Sequence, residues 1–76
     1  MRRALPPDPD RMNELRAEWA GECIEHMAEI TGCEGGKEAA GDLLCNYFHW
    51  CDRQGIDMEA LFAGARSCYL EEIRED

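Results

Sequence analysis

Glu18 and Glu22 stand four residues apart, and so do Glu38 and Asp42. On a helix that spacing stacks two carboxylates on one face, and two such helices together offer the several oxygen ligands that Mg²⁺ demands. The chemistry of such a site would be the binding of a hard divalent cation. A second constellation pairs Cys23 with His26 and Cys45 with His49, two thiols and two imidazoles of the kind that close a tetrahedral zinc site. Cys45 and His49 alone would make a thiolate pair, but no third orienting group or oxyanion donor accompanies them. Gly35-Gly36-Lys37 is too short for a phosphate loop and lacks both the preceding strand and the glycine spacing.

Each pattern has an ordinary counterpart. Paired carboxylates in an acidic chain commonly face water, a lone His49 is more often a surface residue than a ligand, and unpaired thiols behave as small hydrophobes. Zinc also meets a geometric objection. Cys23 belongs to the apolar side of its helix, whereas Cys45 and His49 belong to the polar side of theirs.

Three helices are required to position these groups. Asp8 suits an N-cap and Pro9 a first helical position, so helix 1 is expected from there to about Ile30. Its apolar stripe reads Met12, Leu15, Trp19, Cys23, Met27 and Ile30, which makes Trp19 a core residue. Glu14, Glu18, Glu22, Glu25 and Glu29 form a continuous acidic ridge on another side. The glycine-rich segment 31–36 is a connection. Helix 2 follows from about Lys37 to Arg53, with Ala40, Leu43, Leu44, Tyr47, Phe48, Trp50 and Cys51 on a broad apolar arc that forms the central wall. Its polar stripe carries Glu38, Asp42, Asn46, His49 and Arg53. Gly55 fits a left-handed helix end and Asp57 the next cap, so helix 3, about Met58 to Arg74, returns as an antiparallel hairpin. It is expected to bury Met58, Leu61, Phe62, Ala65, Tyr69 and Ile73.

Bulk properties narrow the function classes. The chain has 76 residues and a formal charge of −9, from 17 acidic residues against eight basic ones. That balance opposes direct binding of nucleic acid or an anionic membrane and favours a basic protein surface or a metal ion. No run reaches the length of a membrane span and the N-terminus has no apolar signal core, so a cytosolic protein is expected. Five cysteines, Cys23, Cys33, Cys45, Cys51 and Cys68, are an odd set for a disulfide framework and read as reduced thiols. A domain this small buries only roughly 60% of its unfolded surface, which favours completion by a second copy or a partner.

Two resemblances add to this reading. Glu18-Trp19-Ala20-Gly21-Glu22, Glu38-Ala39-Ala40-Gly41-Asp42-Leu43-Leu44 and Gly55-Ile56-Asp57-Met58-Glu59-Ala60-Leu61 together resemble MazG-like all-α nucleotide pyrophosphohydrolases over most of residues 14–65. The resemblance implies a dimeric helical scaffold in which two acidic pairs hold Mg²⁺ while a nucleoside triphosphate loses pyrophosphate to water. The family's ligand positions fall here on Trp19, Glu22, Ala39 and Asp42, so two carboxylates are missing. Use of Glu18 and Glu38 instead requires about 100° of helix rotation or a different arrangement of ligands. The segment from Asp42 through Asp57 to Tyr69 also resembles small uncharacterised helical proteins of phages and plasmids, which implies an accessory product that binds a host protein.

The expectations are therefore an all-α three-helix bundle, with residues 1–7 as a flexible tail and 8–76 as one helical domain, completed by homodimerisation. The first functional expectation is a non-enzymatic acidic protein of phage or mobile-element type, without cofactor, that inhibits or modulates a host protein. Its partner-binding candidates are Glu14, Glu18, Glu22, Glu25 and Glu29. The alternative is a Mg²⁺-dependent, MazG-like pyrophosphohydrolase using Glu18, Glu22, Glu38 and Asp42, with His49 positioning phosphate or water and Asn46 and Arg53 completing the polar stripe.

Overall fold

A computed structural model describes residues 5–74. It is an all-α three-helix bundle: α1 spans Met12–Thr31, α2 Lys37–Gln54 and α3 Met58–Glu72. Of the expected tail, residues 1–4 lie outside the described residues, and Leu5 to Pro7 have no regular secondary structure.

Helix ends follow local chemistry. Asp8 does not sit directly at the start of α1, because a tight turn closed by the Arg11 amide on the Asp8 carbonyl, at 3.1 Å, intervenes. Its carboxylate still serves the helix from outside, accepting the amides of Asn13 and Glu14 at 3.0 Å each. The turn forces Arg11 to φ 62°, a left-handed conformation that a side chain disfavours. Gly55 ends α2 at φ 70°, and the Asp57 carboxylate caps α3 by accepting the amides of Glu59 at 3.0 Å and Ala60 at 3.3 Å. Both expectations for that connection hold. Gly36 enters α2 at φ 72°, ψ −134°, a region essentially restricted to glycine.

Packing departs from the expected pattern. α1 lies against α2, and α3 meets α2 over a shorter seam. Ala39 and Cys51, both on α2, are the buried residues among those described. In the second half of α1 the partly covered residues are Gly21, Ile24, Met27 and Ala28, and the Asn46 amide approaches the Met27 sulfur at 3.6 Å. The seam is thus a strip centred about a third of a turn from the expected apolar stripe, with Met27 common to both. Leu15, Trp19, Cys23 and Ile30 are exposed, so Trp19 is not a core residue: half of its surface, 52%, meets solvent. On α2, Leu44, Tyr47, Phe48 and Trp50 are likewise exposed, which makes the central wall narrower than its apolar arc. On α3, Met58 and Ile73 are partly covered, but Leu61, Phe62, Ala65 and Tyr69 are not. The physical reason is shared by all three helices. Close approach favours small residues, and three short helices leave too little volume between them to enclose large side chains.

The ends of the chain are tied together. The Asn13 side-chain amide donates to the Glu72 carbonyl at 2.8 Å, and Arg16 Nε lies 3.1 Å from Glu72 Oε2. This clasp fixes the last turn of α3 to the first turns of α1.

Candidate interaction surface

The residues expected to do chemistry are dispersed. Glu18, Glu22 and Glu38 are exposed and Asp42 is partly covered, and among the described residues no group of three or more His, Cys, Asp or Glu side chains is disposed to hold a metal ion. Cys23, His26, Cys45 and His49 are each exposed and do not gather into a four-ligand set. Within the polar stripe Asn46 is directed to Met27, while His49 and Arg53 are exposed. Ala39, beside Glu38 on α2, is fully buried in the bundle.

What the helices assemble instead is surface. Along the outward side of α1, Leu15, Trp19, Cys23 and Ile30 share one face. The acidic ridge of Glu14, Glu18, Glu22, Glu25 and Glu29 runs beside it, every member exposed. Arg16, the one Lys or Arg within α1, already answers Glu72 and so does not neutralise the ridge. His26 reaches Glu29 at a loose 3.8 Å. The result is an apolar strip with an aromatic centre, edged along its length by uncompensated negative charge.

A second apolar surface lies between α2 and α3. Phe48, Met58, Phe62 and Ala63 line an open groove of about 460 Å³, with Glu59 and Arg66 at its rim. Nearby on α2, Tyr47 and Trp50 pack edge to face with ring centroids 5.7 Å apart. A third hollow, about 860 Å³, is lined by Leu5, Pro6, Asp8, Arg11, Tyr69 and Ile73 among others and lies beside the clasp.

Glu72 is a residue of the clasp that the sequence patterns did not single out. Besides holding Arg16, its carboxylate accepts a hydrogen bond from the Cys68 thiol at 3.5 Å. That bond and the adjacent negative charge raise the thiol pKa above its ordinary value, against a smaller opposing effect of Arg16. Cys68 is therefore a poorer nucleophile than an unperturbed cysteine. The available signal was the i,i+4 spacing of Cys68 and Glu72 on one helix.

No protein-family model, curated protein or solved structure matches the chain. Among the described residues no helix is long and apolar enough to cross a membrane.

Proposed function

We propose that this protein acts by binding another protein through the outward face of α1, with recognition rather than catalysis as its activity. The observation that carries this reading is the exposure of Trp19, flanked by Leu15 and Ile30 and bordered by a glutamate ridge with no local counter-charge. An exposed aromatic anchor beside a charged rim is the ordinary construction of an interface, the apolar centre supplying affinity and the rim supplying orientation and approach rate. Five negative charges on one helix call for a basic partner surface with an apolar cleft to receive the indole. Such a partner is a host protein, for instance a defence factor or a nucleic-acid-binding protein in the cytosol, which the acidic ridge would occupy in place of phosphate. The likeness to small phage and plasmid products fits a stoichiometric inhibitor or modulator.

The test is capture of host proteins on the immobilised chain, followed by quantitative binding of the retained partner. Charge reversal at Glu18, Glu22 and Glu25 is expected to weaken a salt-sensitive complex, and Trp19→Ala to weaken it independently of salt. A partner whose affinity ignores both changes would remove the α1 face from the proposal. Release of pyrophosphate from a nucleoside triphosphate with Mg²⁺ or Mn²⁺, abolished by Asp42→Ala, would replace recognition by the pyrophosphohydrolase reading.

A further inference from the structure

The chain exposes far more surface than its size requires. Its accessible area is 6671 Å² for a mass of 8.7 kDa. A compact monomer of that mass exposes roughly 4,700 Å², so the surplus is roughly 1,900 Å². The radius of gyration agrees, at 14.4 Å against roughly 11 Å for a compact chain of this length. A standard interface removes roughly 800 Å² from each partner and obligate homodimers remove more, so the surplus is ample for a second copy.

Charge decides which face a second copy takes. The net charge is −9, so two copies repel each other at most orientations. The α1 face is worst, because it would set one glutamate ridge against another. The α2–α3 groove is different. Its rim holds one acid and one base, Glu59 and Arg66, and no ion pair among the described residues engages either. They lie seven residues apart, about two turns or 10 Å along the same side of α3, with Phe62 and Ala63 midway. A two-fold axis through that midpoint brings α3 antiparallel to its copy and sets each Glu59 opposite the other copy's Arg66.

We infer that the α2–α3 groove is a homodimer interface, in which Phe48, Phe62 and Met58 of two copies cover one another and two reciprocal Glu59–Arg66 pairs fix the antiparallel register. Such an isologous contact closes on itself and forms no chain of subunits. It leaves the α1 faces directed outward, one on each copy, so it does not depend on what α1 binds.

The experiment is sedimentation equilibrium on the full chain across a range of concentrations, with charge-swapped variants. The wild type is expected as a dimer of twice 8.7 kDa. Glu59→Arg alone and Arg66→Glu alone each place like charges across the axis twice, and each is expected to weaken self-association by roughly tenfold or more. Mixing the two variants restores both attractive pairs, so an equimolar mixture is expected to form a heterodimer. Helical content by circular dichroism, read on each variant, separates loss of association from loss of fold. A monomeric wild type overturns the inference, as does a dimer indifferent to both swaps or two weakened variants whose mixture stays monomeric. None of these results bears on α1 charge reversal, so this interface and the α1 surface stand or fall separately.

Discussion

Replacing Glu72 by glutamine is expected to loosen the bundle and to activate a thiol at the same time. The carboxylate lies 3.1 Å from Arg16 Nε, with the two side chains 29% and 40% exposed respectively. An ion pair that open to water is worth about 0.5–1 kcal/mol. The Asn13 bond to the Glu72 carbonyl survives the substitution because it uses the backbone. For a domain of this size the loss corresponds to a fall in Tm of about 3–6 °C, measured at one fixed protein concentration. Cys68 reports on the same carboxylate independently. With Glu72 in place the thiol keeps its proton to a higher pH than in the unfolded chain, so the thiol–carboxylate bond is present below the unfolded pKa and is lost as pH rises through the folded one. In Glu72→Gln the rate of alkylation of Cys68 at neutral pH should therefore rise, as followed by mass spectrometry of the labelled site. Glu71→Gln is the control. It changes net charge equally and breaks only the exposed pair with Arg74, so Tm and Cys68 labelling should barely move. If Cys68 in Glu72→Gln reacts no faster than in the wild type, the carboxylate does not govern the thiol and the reasoning fails.

Three further outcomes follow from the backbone and the buried seam. Gly55→Ala puts a β-carbon at φ 70° and should cost about 1–2 kcal/mol, visible as a lowered melting temperature. Arg11→Gly relieves the one positive-φ residue other than glycine among the described residues and should stabilise by about 0.5 kcal/mol once the added freedom of the unfolded chain is subtracted; a drop in Tm would contradict the strain assigned there. Ala39→Glu puts a carboxylate in a fully buried position and should destabilise by more than about 3 kcal/mol, enough to abolish cooperative melting.

The helices were legible because their punctuation is local. Gly55 and Asp57 act through their own φ angle and their own carboxylate, so sequence was sufficient to locate the α2–α3 connection. The start of α1 was less so, since Asp8 reaches the amides of Asn13 and Glu14 across an intervening turn rather than from the adjacent position. Which faces meet was not legible. On α1, Leu15, Trp19 and Ile30 define one stripe, and Gly21, Ile24 and Ala28 define another at equally good helical spacing, with Met27 at the edge of both. Hydrophobicity favours the first, whereas close approach of the helices, which Gly21 and Ala28 permit, took the second. The clasp through Glu72 was invisible for a further reason: Asn13 and Glu72 are separated by 59 positions, and no local pattern links them.

That separation has a consequence for the order of folding. The α1–α2 pair joins neighbours along the chain and closes a short loop, whereas the clasp closes a loop of 59 positions at a larger entropic cost. Until the clasp forms, the first turns of α1 lack their partner, and the folding chain carries its glutamate ridge and its Trp19 strip on a half-anchored helix. Fraying of the last turn of α3 would leave α1 and α2 together and release the tie.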